Sequence, residues 1–250
     1  MLKVNHVTKK YKKEKACDDV TFFLPEGGIH VLLGPNGAGK STIIKCIIGF
    51  LKYQGEITIN ELNNKTVEAK RIIGYMPEIP SLYPNLTVDE HMEFVARAYR
   101  LENYTDYKNE LLERFELADK KKKFGDELSK GMQQKLSLCC ALLPKPALLI
   151  MDEPMIGLDP HAIKELKKMM NEMKNNGQSL FVSTHIIDSM DQLWDHAVIM
   201  QKGQVKGNVT REQLSQMGKT LEEMFFEITE GLSGEDMSES APSGEEAANV

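Results

Sequence analysis

The stretch GPNGAGKST at residues 34–42 decides the fold, and it lies between the apolar run IHVLL and an apolar helix predicted over 41–50. From Gly34 to Ser41 it matches the pattern G-x-x-x-x-G-K-S. The glycines let the backbone turn so that successive N–H groups form one anion-binding nest at a helix N-terminus. Lys40 would reach the terminal phosphates of a nucleotide, and the Ser41 hydroxyl would bind magnesium. The stretch therefore predicts a phosphate site between a strand and a helix.

A second stretch, ALLIMDEP at 147–154, supplies the carboxylates that such a loop requires. Its apolar part predicts a buried strand, after which Asp152 would hold magnesium directly or through water. Glu153 would polarise the attacking water. An apolar run that ends in Asp-Glu is a weak signal alone. Together with the loop upstream, it predicts nucleotide hydrolysis.

Strands and helices alternate around the first stretch. Strands are predicted over 2–7, 18–24, 29–33, 56–59 and 71–76. The pattern then changes, because Thr87 and Glu90 have capping-box spacing and apolar residues recur at helical spacing after them. We interpret residues 79–144 as an all-helical insertion.

The alternation resumes after ALLIM. A helix is predicted over 161–175 with Gly177 as its stop, followed by the strand SLFVST and a hairpin over VIMQKGQV. Two short helices open at Thr210 and Thr220, each followed three residues later by Gln or Glu. Residues 231–250 hold no lysine or arginine and almost no large apolar group, which predicts a disordered acidic tail.

The composition is that of an ordinary soluble globular chain. Of 250 residues, 41% are hydrophobic and 27% charged. No apolar run approaches the ~18–20 residues that span a bilayer, and the start MLKVNHVTKK has no apolar signal-peptide core. The four cysteines form no C-x-x-C pair, as expected for free thiols in a reducing compartment. These features predict a cytosolic protein.

The charge argues only weakly against nucleic acid. The net charge is −6, whereas general nucleic-acid binders usually carry a basic field. However, residues 231–250 hold five of the acidic groups, so the rest of the chain has a net charge of −1. The run KKKK at 120–123 is interpreted as a solvated loop rather than as a contact with nucleic acid or anionic lipid.

Over about residues 1–230, these motifs together resemble one family, the ATP-binding subunits of ABC transporters. LSKGMQQ at 128–134 resembles the signature that separates this family from other P-loop ATPases. Asp159 in GLDP resembles the D-loop, and His185 in VSTHII resembles the switch histidine. Tyr11 occupies the place where the family stacks an aromatic ring on adenine.

The resemblance implies an α/β fold, namely a RecA-like P-loop ATPase core with an N-terminal antiparallel β portion and an inserted α-helical subdomain. The expected core comprises 1–78 and 145–205, and the helical signature subdomain comprises 79–144. A C-terminal helical extension is expected over 206–230, followed by the acidic tail over 231–250.

The resemblance also implies an ATP site, with Mg²⁺, that is split between two subunits. The implied ATP-binding residues are Tyr11, Gly34, Pro35, Asn36, Gly37, Ala38, Gly39, Lys40, Ser41 and Thr42. The implied metal ligands are Ser41, Glu78 and Asp152, and the implied catalytic residues are Glu153 and His185. The signature residues implied to meet the ATP of a partner subunit are Ser129, Lys130, Gly131 and Met132, and Asp159 is the implied D-loop residue.

Two departures from the family pattern are informative. Glu78 stands where the family usually has glutamine, and the signature reads Leu-Ser-Lys-Gly-Met rather than Leu-Ser-Gly-Gly-Gln. Ser129 and Gly131 are kept, whereas Lys130 adds a cation and Met132 removes a polar side chain. With the ending TLEEMFFEIT, these departures resemble the ATPase subunits of the type-2 ABC exporter group. They favour export over solute import.

The resemblance implies a subunit that powers a separately encoded membrane permease and lies peripherally on the cytoplasmic face of the membrane. The ATPase dimer would be either a homodimer or a heterodimer, and no nucleic-acid partner is expected. The transported substrate is selected by the permease and cannot be deduced from this chain. The alternative is a soluble ABC-type ATPase that acts on ribosomes or DNA. Such proteins usually carry two cassettes or long coiled-coil insertions, which this sequence lacks.

Overall fold

The computed structural model describes residues 1–190 and 193–231. The strands are β1 (Leu2–Tyr11), β2 (Glu14–Leu24), β3 (Gly28–Leu33), β4 (Gln54–Ile59), β5 (Leu62–Asn63), β6 (Ile73–Met76), β7 (Leu148–Asp152), β8 (Ser179–Thr184), β9 (His196–Gln201) and β10 (Gln204–Thr210). The helices are α1 (Lys40–Ile47), α2 (Val67–Arg71), α3 (Val88–Tyr99), α4 (Thr105–Arg114), α5 (Lys130–Leu142), α6 (Pro160–Asn175), α7 (Arg211–Gln216) and α8 (Leu221–Glu230).

The strands form two sheets. The larger has the order β10-β9-β3-β8-β7-β6, and its pairs are parallel except for the hairpin of β9 and β10. The smaller sheet has the order β2-β1-β4-β5 and is antiparallel throughout. The predicted combination of a P-loop α/β core with an N-terminal antiparallel portion is therefore confirmed.

The larger sheet is buried on both faces. Along β3, Val31 points into the core that contains α3, α5 and α6, whereas Leu32 points into the core shared with α1 and the antiparallel sheet. A strand covered on both sides needs a continuous apolar sequence, which explains the run IHVLL. The middle strands are thus rigidly held, and so are the loops that leave them.

Three capping boxes form as the sequence predicts. At the start of α3, the Thr87 N–H donates to the Glu90 carboxylate at 2.8 Å, and the Thr87 hydroxyl accepts from the Glu90 N–H at 3.2 Å. The same reciprocal pattern opens α7 at Thr210 and α8 at Thr220. These local signals are reliable because both partners belong to one turn of chain.

Several element bounds differ from the sequence prediction. The helix predicted over 41–50 begins at Lys40 and ends at Ile47, because Gly49 has a φ of 79° and the Phe50 N–H turns back to the Lys45 carbonyl at 2.9 Å. The short elements α2 and β5 were not predicted.

The C-terminal helical extension begins later than position 206. Strand β10 continues to Thr210, which pairs with His196 of β9, so helix starts only at Arg211. The acidic tail predicted over 231–250 lies, from 232 onward, outside the described residues.

The carboxyl ends of the central strands meet at one edge of the larger sheet. Strands β3, β8 and β7 are parallel neighbours, with Leu33 opposite Thr184 and Asp152 opposite Ser183. Loops that leave this edge are therefore close in space although distant in sequence. The stretch at 34–42 follows β3, His185 follows β8, Glu153 follows β7 and Glu78 follows β6.

Candidate active site

The loop between β3 and α1 turns tightly around its glycines. Gly37 and Gly39 have φ values of 80° and 104°, a region that side chains rarely adopt. A Cβ atom at Gly39 would lie 2.5 Å from the Ala16 carbonyl, and one at Gly34 would lie 2.5 Å from the Met200 carbonyl. Both positions thus require glycine for space, and Gly39 requires it for backbone conformation as well.

Lys40 starts α1 and turns its ammonium back over this loop. The Nζ atom donates to the Gly34 carbonyl at 2.7 Å and lies 3.4 Å from the Pro35 carbonyl. The residue is 6% exposed and its Nζ lies 3.6 Å from Glu153 Oε1. A buried ammonium at the rim of an N–H nest is suited to binding a polyphosphate.

Glu153 is held by contacts with Ser183 and His185. Its backbone N–H donates to the Ser183 carbonyl at 3.1 Å and lies 3.3 Å from the Ser183 hydroxyl. Its Oε1 lies 2.8 Å from His185 Nδ1. Its φ of 50° lies in the left-handed region, which costs a non-glycine residue about 1 kcal/mol or more. The surrounding contacts keep this strained carboxylate facing the loop.

Asp152 precedes it at the end of β7 and is 2% exposed. Its carboxylate accepts a short hydrogen bond from the Ser183 hydroxyl, so the side chain is fixed in direction. Ser183 thus contacts both acidic residues. Ser183 was not predicted as a site residue, although it lies in VSTHII and stands opposite Asp152 once the strands are paired.

The negative charge at this edge also affects Tyr75 of β6. Burial raises the pKa of the Tyr75 hydroxyl, and the nearby carboxylates of Asp152 and Glu78 raise it further. The two carboxylates come from neighbouring strands, β7 and β6. Carboxylate oxygens from two strand ends therefore lie in the same region, which favours the binding of a hard cation there.

A cavity of about 810 Å³ opens over the loop. The sequence-predicted residues that line it are Tyr11, Asn36, Gly37, Ala38, Gly39, Lys40, Ser41, Thr42, Glu78, Glu153 and His185. The structure thus brings together residues from five segments that are up to 174 positions apart, from Tyr11 to His185. Gly34, Pro35 and Asp152 do not belong to the lining: the carbonyls of the first two face the Lys40 ammonium, and Asp152 is almost fully buried.

Further lining residues were not predicted. They are Glu14, Lys15, Ala16, Ile156, Lys202 and Gly203. The Gly203 N–H donates to the Ala38 carbonyl at 3.0 Å, and the Asp18 N–H donates to the Gly203 carbonyl at 2.8 Å, so the β9–β10 turn braces the loop. Nothing in the local sequence shows this contact, because the hairpin lies more than 160 residues after the loop.

The signature residues lie away from the cavity lining. Ser129 is the N-cap of α5, and its hydroxyl accepts from the Met132 N–H at 3.3 Å. Lys130 is exposed, whereas Met132 packs against the larger core. At Gly131, an added Cβ atom would lie 3.1 Å from the Gly157 carbonyl. The exposed Ser129 is therefore available to a group outside this chain.

Asp159 caps α6 and is likewise outside the cavity lining. Its Oδ1 accepts from the Ala162 N–H at 2.9 Å, and its Oδ2 lies 2.7 Å from Lys135 Nζ. Both contacts lower the pKa of Asp159, the hydrogen bond from Lys135 most strongly. Lys135 was not predicted as a site residue from the sequence.

Residues 17–156 match the family model described as ABC transporter. The chain belongs to the ABC transporter family. It is 39% identical, over 246 residues, to the ABC-type transporter ATP-binding protein EcsA of Bacillus subtilis (strain 168), an alignment that covers 94% of this chain and 98% of that protein.

Two further ABC relatives carry names that refer to transport. The bacitracin transport ATP-binding protein BcrA of Bacillus licheniformis is 34% identical over 224 residues, covering 88% of this chain and 72% of that protein. The lantibiotic transport ATP-binding protein SrtF of Streptococcus pyogenes is 32% identical over 225 residues, covering 90% and 96%.

Solved structures agree with this assignment. An ATP-binding subunit of an ABC transporter superposes with a TM-score of 0.86 at 38% identity, covering 91% of this chain and 99% of that chain. An ATP-binding cassette solved as a dimer in a post-hydrolysis state with ADP and Pi gives a TM-score of 0.73 at 26% identity, covering 84% and 98%.

The chain is therefore an ATP-binding and ATP-hydrolysing subunit of the ABC transporter type, as the sequence motifs implied. The alternative of an ABC-type ATPase acting on ribosomes or DNA is not favoured by relatives named for transport. Within residues 1–190 and 193–231, none of the helices has the length and apolar character needed to cross a membrane.

Proposed function

We propose that the cavity binds ATP with its triphosphate in the loop at residues 34–42. The helix N-terminus and the Lys40 ammonium support this placement, because both favour a polyanion. Tyr11 lines the same cavity, is 46% exposed and carries the Lys9 ammonium 5.1 Å from its ring centroid. An exposed aromatic face of this kind is suited to stacking on adenine.

We further propose that Mg²⁺ accompanies the nucleotide. The candidate ligands are the Ser41 hydroxyl and the carboxylates of Asp152 and Glu78, an all-oxygen set of the kind magnesium prefers. Burial of Asp152 and its hydrogen bond from Ser183 fit the role of an oriented ligand. When bound, the ion would neutralise charge on the β- and γ-phosphates.

Glu153 acts as the general base in this proposal. Its carboxylate is 6% exposed and lies next to the phosphate-binding loop, so it would orient and polarise the attacking water. His185 Nδ1, by donating to Glu153 Oε1, fixes the direction of the carboxylate.

Two ATPase subunits complete each ATP site. Ser129, Lys130, Gly131 and Met132 are proposed to meet the γ-phosphate held by a partner subunit, and Asp159 is proposed to lie at the same junction. Support comes from the position of these residues outside the cavity lining of their own chain and from the dimeric state of a solved relative. Because one chain carries both halves, a homodimer is sufficient.

A membrane permease is the proposed partner of the helical segment after Glu78. Several apolar side chains there are exposed: Ile79 at 78%, Tyr83 at 54%, Phe94 at 50% and Phe124 at 45%. Such a surface is costly in water unless it is covered by another protein. We therefore propose that the chain lies peripherally on the cytoplasmic face of the membrane, bound to its permease.

Export is the proposed direction of transport. The supporting relatives are named for bacitracin transport, lantibiotic transport and linearmycin resistance. Resistance through transport requires that a compound leave the cell. The departures at Glu78 and Lys130 agree with the exporter resemblance. The permease, rather than this chain, would select the substrate.

The observation that carries the proposal is the position of Glu153, whose Oε1 lies 2.8 Å from His185 Nδ1 and 3.6 Å from Lys40 Nζ. The experiment is ATP hydrolysis by the full chain and by Glu153→Gln. We expect the variant to bind ATP normally, to lose ~10²-fold or more in turnover and to accumulate as an ATP-bound dimer. Turnover equal to that of the unmodified chain would overturn the proposal.

A further inference from the structure

Lys135 joins three parts of the chain that are distant in sequence. It lies on α5, six positions after Ser129, and is 6% exposed. Its Nζ lies 2.7 Å from Asp159 Oδ2, at the N-cap of α6, and 2.8 Å from Glu116 Oε2, just after α4. We call this set of three side chains the Lys135 bridge.

The bridge is fully charged. Burial alone would lower the pKa of Lys135, but hydrogen bonds to Asp159 and Glu116 outweigh it and leave the pKa above the ordinary value. The hydrogen bond from Lys135 is also the main cause of the lowered pKa of Asp159 and of Glu116. The ion pairs therefore persist across the neutral pH range.

The bridge fastens the loop that follows Glu153. This loop, residues 154–159, is fixed at its start by the contacts of Glu153 with Ser183 and at its end by Asp159. Midway, the Gly157 carbonyl lies so near Gly131 that an added Cβ would be 3.1 Å away. The loop thus runs from the hydrolytic carboxylate to the first turn of the signature helix.

We propose that Lys135 is a positioning residue for ATP hydrolysis. By holding Asp159 to α5, it keeps the loop after Glu153 and the signature turn at Ser129 in one relative geometry. Glu153, which serves the chain's own ATP, and the signature residues, which serve the ATP of a partner subunit, then keep a fixed relative position. This inference rests on the proposed function, because it concerns the relative position of the residues that serve the chain's own ATP and those that serve the ATP of a partner.

The variant Lys135→Met separates this positioning role from an effect on folding. The side chains of Glu116 and Asp159 are 57% and 46% exposed, so they stay hydrated when the ammonium is removed. Methionine keeps the length and apolar stem of the lysine, and replacing a buried cation by an apolar side chain of similar volume is often neutral for stability. Arginine is the matched control that keeps the charge.

The test compares full-length Lys135→Met, Lys135→Arg and Asp159→Asn. In Asp159→Asn, the amide oxygen still caps α6, but the NH₂ group cannot accept from Lys135. We expect Lys135→Met and Asp159→Asn each to lower kcat about tenfold or more, because small displacements of catalytic groups are costly. Affinity for a fluorescent ATP analogue in the isolated chain should change by less than about twofold. Lys135→Arg should recover most of the loss.

The double variant tests whether the two residues act through their contact with each other, whereas the change in kcat at unchanged nucleotide affinity and the recovery in Lys135→Arg are the readouts that a merely structural role would not give. If the two residues act as one unit, Lys135→Met combined with Asp159→Asn should lose no more than either single variant. Additive losses, or a Lys135→Met enzyme with unchanged kcat, would overturn the inference. Should Lys135→Met fail to fold, Asp159→Asn and Lys135→Arg decide the matter in the same way.

The inference and the proposed function fail differently. If Glu153→Gln retains full turnover, the proposed function is wrong. If Glu153→Gln is inactive while Lys135→Met and Asp159→Asn are both fully active, only the positioning role is wrong.

Discussion

Ser183 lies directly opposite Asp152 in the parallel pairing of β8 with β7, and its hydroxyl donates a hydrogen bond to the Asp152 carboxylate. The same hydroxyl lies 3.3 Å from the Glu153 N–H. One small side chain thus orients the proposed metal ligand and supports the strained residue that carries the proposed base.

Replacing Ser183 by alanine should therefore weaken the use of magnesium. A partner that orients a metal ligand typically contributes ~10–100-fold in metal affinity or activity, and we expect a shift of that size in the Mg²⁺ concentration for half-maximal hydrolysis. A magnesium titration of ATPase activity measures it.

The matched control for this change is Ser179→Ala. Ser179 lies on the same strand and is equally buried, but its hydroxyl accepts from the Gly27 N–H at the opposite end of β8. Ser179→Ala should lower the free energy of unfolding without changing the Mg²⁺ concentration for half-maximal hydrolysis. An unchanged titration in Ser183→Ala would contradict the assignment of Asp152.

Exchange of Glu78 for glutamine should raise the Mg²⁺ concentration needed for half-maximal hydrolysis. A carboxylate binds the ion more strongly than an amide, so we expect a shift of about threefold to tenfold. Glu14→Gln is the control, since Glu14 lines the same cavity without being a proposed ligand. Superimposable titrations for Glu78→Gln and the unmodified chain would exclude direct metal contact.

Stability should fall below neutral pH because of a buried histidine. Neither ring nitrogen of His30 has a hydrogen-bond partner among the described residues, and its ring centroid lies 5.8 Å from that of His196. Burial and the neighbouring His196 lower the pKa of His30 from 6.5 to about 4. The folded chain thus keeps His30 neutral over a range in which the unfolded chain binds a proton.

The stabilisation linked to His30 is complete above pH ~6.5 and is lost as the pH falls toward 4, by about 3 kcal/mol in total. The free energy of unfolding, measured with urea, should be lower at pH 5 than at pH 7. This slope with pH should be smaller in His30→Asn. His6→Gln, at an exposed position, is the control. A slope that persists in His30→Asn would assign the effect to other groups.

A charge on the exposed surface after Glu78 should release the protein from its membrane partner. We expect Ile79→Asp to reduce the fraction that co-sediments with membranes at least about fivefold, because burying an unpaired carboxylate in an apolar interface is costly. The control is Met217→Asp, since Met217 is 62% exposed in the segment between α7 and α8. Equal co-sedimentation of the two variants would argue against permease binding at Ile79.

The sequence predicted those features whose partners are close along the chain or belong to a recurrent motif. The turn around Gly37 and Gly39 and the capping boxes at Thr87, Thr210 and Thr220 are of this kind. Their physical causes operate within one turn of backbone, so residue type and spacing are enough to specify them.

The features that were missed depend on packing between distant elements. Lys135 and Asp159 are 24 positions apart and meet only because α5 lies beside the start of α6. The extension of β10 to Thr210 likewise depends on its pairing with His196. No local periodicity encodes such contacts, so they emerge only once the elements are assembled.

At Glu153, where the backbone is left-handed, selection for stable folding and selection for activity favour different residues. Glycine would remove about 1–2 kcal/mol of strain there, at the cost of the carboxylate and of some extra freedom in the unfolded chain. A library ranked by heat resistance or expression would therefore not penalise inactive chains at this position. Glutamate is retained at this position only while ATP hydrolysis itself is under selection, because the main chain would accept glycine at least as readily.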